Sequence, residues 1–173
     1  AECEKLKRVL AKILRHRDPS IPPRRPDPRP VKEVAKQWRK PHIYTPADVQ
    51  HMLDIARSYP SPRAQLRPLS VYTMLLLAYC AGLRRSEVAR LDLGDVDLQG
   101  GTITIRQTKF YKTRILPLPD TVMAELRAYI DVRCHAGASQ DPRSGLFWHE
   151  QRSARYTKQA VAWLLVDVIR RAG

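Results

Sequence analysis

Hydrophobic and polar positions along the chain first separate a leading helix from a larger ordered segment. Leu6, Val9, Leu10, Ile13 and Leu14 recur at helical spacing within residues 2–17, with lysines and arginines filling the other face, which predicts an amphipathic helix. The pattern then stops: six prolines lie between Pro19 and Pro30, interleaved with Arg24, Arg25 and Arg29. Proline fixes φ and removes a backbone donor, so this stretch reads as an extended linker. Its arginines could line a phosphate backbone or simply solvate a tether, and residues 31–42 are basic and ambiguous.

Order resumes at Thr45-Pro46-Ala47-Asp48, a helix start with Thr as N-cap, Pro in the first turn and an acid near the positive end. This helix carries Val49, Met52, Leu53 and Ile55 and ends before Pro60; a loop with Pro60, Pro62 and Pro68 follows. The apolar run from Leu69 to Ala81 predicts a buried helix that Gly82 can stop, and residues 86–92 predict a short helix. The period then changes. After the turn signal Gly100-Gly101, residues Thr102 to Arg106 alternate, placing Ile103 and Ile105 on a core and the threonines outside. Thr113 to Leu118 is a second strand, with Gln107 to Lys112 as the hairpin tip. A helix over Asp120 to Cys134 turns Val122, Leu126, Tyr129 and Ile130 inward, and residues 135–146 form a loop. Leu146-Phe147-Trp148 is an apolar landmark, and a last helix over Lys158 to Arg171 has Val161, Leu164, Leu165, Val168 and Ile169 on its apolar side. The expected class is mainly α with a small antiparallel β-hairpin (α+β).

Charge adds a partner. The 173 residues include 31 Lys and Arg against 17 acidic residues, a net +14. Such an excess attracts polyanions, of which nucleic acid is the usual one, and a merely basic surface is the alternative. The longest apolar run, Tyr72 to Leu83, falls short of the roughly 18 residues of a membrane span. No signal peptide is visible, and the chain begins at Ala1, so the native N-terminus is expected to lie outside it. Cys3, Cys80 and Cys134 are odd in number and far apart, which indicates neither a zinc site nor a disulfide frame. Cys80 reads as a small core residue, and a reducing cytosol is the natural compartment.

The chemistry centres on Ala81-Gly82-Leu83-Arg84-Arg85-Ser86-Glu87. Positions i and i+3 share a helix face, so Glu87 could hold the Arg84 guanidinium as a fork for a tetrahedral phosphate. Taken alone, these seven residues are better read as a surface ion pair worth about 0–1 kcal/mol. Their neighbours change the reading. Leu91-Asp92-Leu93-Gly94-Asp95-Val96-Asp97 follows, then a Gly turn, the strand to Arg106, and Thr108-Lys109-Phe110-Tyr111-Lys112-Thr113-Arg114-Ile115-Leu116-Pro117-Leu118. In this order the residues resemble the catalytic domain of the tyrosine recombinase (phage integrase) family, from about His42 to the last residue. The resemblance implies three parts: residues 1–18 as the last helix of a core-binding domain, 19–41 as a Pro/Arg-rich linker, and 42–173 as a partial catalytic domain, C-terminally truncated.

The family's roles carry over by position. Arg84 matches the first catalytic arginine, which binds the scissile phosphate and stabilises the pentacoordinate transition state. Glu87 matches the acid that supports it. Lys109 matches the hairpin lysine that protonates the leaving 5′ oxygen, with Lys112 as the competitor for that role. Arg85 reads as a surface or phosphate contact, and Arg106, Lys112, Arg114, Arg24, Arg25 and Arg29 as DNA contacts. The resemblance implies cleavage by a tyrosine that leaves a 3′-phosphotyrosine and conserves the bond energy, so neither ATP nor another cofactor is expected. His16, His42, His51, His135 and His149 are scattered, which suits a metal-free mechanism. The implied partners are double-stranded DNA and further copies in a homotetramer, with no membrane, in the bacterial cytoplasm at the nucleoid.

The second half of the family's site is expected outside this chain: His-x-x-Arg, a later His or Trp, and the nucleophilic Tyr. His149-Glu150-Gln151-Arg152 has the His-x-x-Arg letters but comes too soon after Arg84 and directly follows Leu-Phe-Trp, so it reads as coincidence. Tyr156 is then too early for the nucleophile and reads as an aromatic packed at a helix start; Tyr44, Tyr72, Tyr79, Tyr111 and Tyr129 also have structural readings. The chain is expected to bind DNA weakly and form no covalent adduct. Two other functions stay open: a non-catalytic DNA-binding remnant or regulator of the same fold, and an RNA-binding basic protein, for which no aromatic-rich signature is present. The central expectation is that Arg84 and Lys109 converge on one phosphate-sized hollow.

Overall fold

The computed structural model describes residues 43–106 and 113–173. The first amphipathic helix, the linker with Arg24, Arg25 and Arg29, and the hairpin tip with Lys109, Tyr111 and Lys112 lie outside the described residues.

Helix α1 (Pro46–Arg57) starts where its sequence says. Thr45 Oγ1 accepts from Asp48 N at 3.2 Å, and Asp48 Oδ2 accepts from Thr45 N at 2.8 Å, a reciprocal cap worth about 1 kcal/mol. Val49, Met52, Leu53 and Ala56 are buried, one face of a 3.6-residue repeat. Helix α2 (Leu66–Cys80) is the central element, buried on every side from Ser70 to Leu77. It begins three residues earlier than its apolar run suggests. Pro68 is thereby in the first turn, where a missing N–H breaks no helical bond, and Glu150 Oε2 accepts from Leu66 N at 3.1 Å. Cys80 is exposed, not core: the last turn of α2 runs past the packed centre, and its neighbour Tyr79 is 55% exposed. Tyr72 and Tyr129 are buried.

Gly82 takes a left-handed φ of 59° and ends this passage. Leu83 turns back into the core, and a short helix α3 (Arg85–Val88) follows. Its helical hydrogen bonds continue only to Leu91, short of the predicted 92. A 3₁₀ turn (Leu93–Asp95) leads into a three-stranded antiparallel sheet in the order β1 (Val96–Asp97), β2 (Thr102–Ile105), β3 (Arg114–Pro117). The register pairs Ile103 with Leu116 and Ile105 with Arg114. Ile103 and Ile105 are buried, and Thr102 and Thr104, on the alternate positions, are half-buried.

Helix α4 (Asp120–His135) packs Val122, Met123, Leu126 and Tyr129 against α2, with Ile130 only partly buried. The loop after it rejoins the core at Leu146 and Phe147. A small hairpin, β4 (Trp148–His149) with β5 (Ala154–Arg155), was not foreseen. Helix α5 (Lys158–Ala172), capped by Thr157, buries Val161, Leu164 and Val168 and packs on α1, α2 and α3, with Leu165 and Ile169 half-buried. The result is mostly helical with small antiparallel sheets, the class read from the sequence.

Candidate functional site

The turn after α2 puts Arg84 at the head of α3, with its side chain 60% exposed. Glu87, one helical turn on, has a side chain only 1% exposed. Its Oε2 accepts from Arg84 N at 2.9 Å, and its Oε1 from Arg84 Nη1 at 3.1 Å. The i, i+3 spacing predicts that pairing. It does not predict the third bond: Arg114 Nη2 donates to Glu87 Oε2 at 3.0 Å. Strand pairing sets Arg114 opposite Ile105 and so delivers it to the same carboxylate.

The arrangement repeats one turn later. Asp95 is the third residue after Asp92, and its side chain is 4% exposed. Asp95 Oδ2 accepts from Asp92 N at 2.9 Å, and Oδ1 accepts from Arg106 Nε at 2.6 Å. Arg106 itself is 62% exposed. Each buried carboxylate therefore satisfies the backbone N–H that opens its own turn and anchors guanidinium groups on side chains that stay partly exposed. Anchoring of this kind removes rotamer freedom from a long side chain before any ligand arrives. Arg155 from β5 donates to Asp92 Oδ1, closing a cleft of about 200 Å³ lined by Glu87, Arg90, Asp92, Asp95, Arg106 and Arg155.

Of the candidate residues, Arg84, Glu87, Arg106 and Arg114 are thus brought together, and Arg85 lies exposed beside Arg84 on α3. Lys109 and Lys112, and with them the convergence of positions 84 and 109, lie outside the described residues. Arg106 and Arg114 flank the segment that carries both lysines, and a buried carboxylate holds each. Sequence reading passed over Asp95, although Asp92-x-x-Asp95 has the same spacing as Arg84-x-x-Glu87.

The His149–Arg152 segment is occupied elsewhere. Glu150 caps α2, while Gln151 Nε2 donates to Arg63 O at 3.2 Å and Gln151 Oε1 accepts from Arg67 Nη2 at 3.3 Å. The His149 ring lies 4.9 Å from that of Tyr156, which is 3% exposed and whose phenol burial pushes above its ordinary range. His149 Nδ1 is buried without a hydrogen-bond partner. Burial first, then Arg67 and Arg152, lower the imidazole below its ordinary value of 6.5. The unfolded chain therefore takes up this proton before the folded one does. Stability is fully present above that ordinary value and falls as pH drops through it. Urea midpoints measured between about pH 7.5 and 5.5 should decline more steeply for the native chain than for His149→Phe. Parallel declines would mean that this histidine is not the group responsible.

Comparison with known proteins gives the family. The model of the phage integrase family matches residues 43–173. Protein y4gA of Sinorhizobium fredii is 79% identical over 122 residues, covering 70% of this chain and 65% of that protein. The integrase/recombinase y4rB of the same organism is 36% identical over 110 residues, 62% of this chain and 35% of that protein. The chain thus spans about two thirds or less of these relatives. The crystal structure of XerA recombinase superposes with a TM-score of 0.61 over 94% of this chain and 50% of that one, at 23% identity, and so shares the fold. The chain belongs to the phage integrase family, the tyrosine recombinases.

Proposed function

We propose that this chain is the phosphate-gripping part of a site-specific recombinase that cuts and rejoins double-stranded DNA during integration or excision of a mobile element. The observation that carries this reading is the anchoring of Arg84, Arg106 and Arg114 on two buried carboxylates, with their side chains still 38–62% exposed. Such a face offers fixed positive charge to a phosphate backbone without reorganisation. In the reaction, a tyrosine attacks phosphorus, the 3′ side of the break becomes a phosphotyrosine, and the 5′ oxygen leaves with a proton. Arg84 balances the charge that builds on the equatorial oxygens. Lys109 supplies the proton, and a free 5′-hydroxyl later attacks the phosphotyrosine in reverse.

The nucleophile is a tyrosine other than Tyr156, whose side chain is closed off from any phosphate outside. Glu150 and Gln151 tie this segment to the start of α2, and His149 and Arg152 are not the second half of the site. Residues 1–18 end a core-binding domain, 19–41 link it to the catalytic domain over 42–173, and Arg24, Arg25 and Arg29 add phosphate contacts. The whole recombinase works as a tetramer on two duplexes.

A nicked duplex incubated with the chain separates these statements. On native gels it should shift at low salt, and the shift should fade steeply as salt rises, since each phosphate contact contributes about 0.9 to the log–log slope. On denaturing gels no protein–DNA band is expected. A slope near zero would remove the electrostatic reading, and a covalent band lost in Tyr156→Phe would make that tyrosine the nucleophile.

A further inference from the structure

We propose that Arg133 is a positioning residue for DNA contact, fixing from behind the loop that holds the Asp92–Asp95 turn and thereby aiming Arg106; this rests on the reading of the basic face given above. Arg133 is 0% exposed, and every acceptor its guanidinium meets is neutral. Nε donates to Leu146 O at 3.0 Å, Nη1 to Ser139 O at 2.8 Å, and Nη2 to Ser144 Oγ at 2.8 Å and Gly145 O at 3.0 Å. A buried guanidinium spent on carbonyls of a single loop defines that loop's path.

The loop passes the constraint on. Ser144 O accepts from Leu93 N at 2.9 Å, Pro142 O from Gly94 N at 2.8 Å, and Leu91 O from Leu146 N at 2.8 Å, while Gly145 bridges to Asp92. These bonds hold both sides of the turn whose last residue, Asp95, binds Arg106. The packing is close enough to specify glycine: a Cβ on Gly94 would lie 2.8 Å from Pro142 Cβ and 3.0 Å from its carbonyl oxygen. Two independent features, a buried cation and a missing side chain, thus serve the same docking of loop on turn.

The test measures affinity of the 173-residue chain for a short fluorescein-labelled duplex by anisotropy across a salt series. Arg106→Ala should weaken binding about fivefold and flatten the log–log salt slope by about 0.9, the loss of one phosphate contact. Arg133→Lys, which keeps the charge and loses the planar fork, should give the same two changes. Gly94→Ala, which forces the turn off the loop while leaving Arg133 intact, should give them too. Neither should weaken binding further when combined with Arg106→Ala. A merely structural role would leave the salt slope unchanged or add to Arg106→Ala independently, and either result would overturn the proposal. If Arg133→Lys does not fold, Gly94→Ala decides by the same criterion. If Arg106→Ala leaves affinity and slope unchanged, the reading of the basic face fails first and this proposal with it.

Discussion

On the function proposed above, alanine at position 84 should slow strand cleavage by about 10²–10³-fold, the range seen when one preorganised charge-stabilising donor is removed from an active site. DNA affinity should fall far less. On the proposed reading several cations share the ground-state contact with the DNA backbone, among them Arg85, Arg106 and Arg114, so deleting one should remove only a fraction of uniform binding. By contrast, the charge that develops on the equatorial oxygens exists only in the transition state. The fold should lose little: the Arg84 side chain is 60% exposed, and the buried Glu87 carboxylate keeps the N–H of residue 84 and the Arg114 guanidinium as partners. Arg84→Lys should fall between the two, since an ammonium keeps the charge and loses the bidentate fork. Single-turnover cleavage of a suicide substrate, with binding followed separately, gives both numbers. Cleavage at the native rate in Arg84→Ala would remove this residue from the chemistry.

Several parts of this architecture were legible because the residues that state them are neighbours. Thr45-Pro46-Ala47-Asp48 specifies its own cap, and α2 declares itself by being apolar on all sides. Ile103 and Ile105 announce a strand through period two. What was illegible depends on where the core ends or on partners far away in sequence. Cys80 sits in an apolar run, yet the helix carries it beyond the packed centre, and a local pattern holds no information about that boundary. Strands β1, β4 and β5 are two residues each, too short to show any period. Nothing near Arg133 in the sequence signals the carbonyls that its guanidinium meets.

The site divides in the same way. Arg84 with Glu87 is a local pair, whereas Arg114 reaches that carboxylate from 27 residues on and Arg106 reaches Asp95 from 11 residues on, both through strand register. Duplication of the acid-at-third-position turn was visible in Asp92-x-x-Asp95. Finding it required looking for a backbone N–H to satisfy rather than for a catalytic letter.

Glu87→Ala should reveal that one carboxylate does two separable jobs. Its side chain is 1% exposed and accepts three hydrogen bonds, one from the N–H that opens α3 and two from guanidiniums. Both arginines are partly exposed and can turn toward water, so the loss is smaller than for a fully buried pair. The unpartnered N–H and the vacated volume remain, and together they should destabilise the domain by about 2 kcal/mol, a fall in melting temperature of about 6–10 °C. Cleavage should drop as well, because Arg84 loses its anchor. Combining the two changes tells the jobs apart. In Arg84→Ala/Glu87→Ala, stability should fall by the full Glu87 amount, while cleavage should fall less than about tenfold below Arg84→Ala alone, since a support has nothing left to hold once its arginine is gone. Fully multiplicative losses in cleavage would mean that Glu87 touches the reaction by a route independent of Arg84, and the anchoring account of this carboxylate would have to be abandoned.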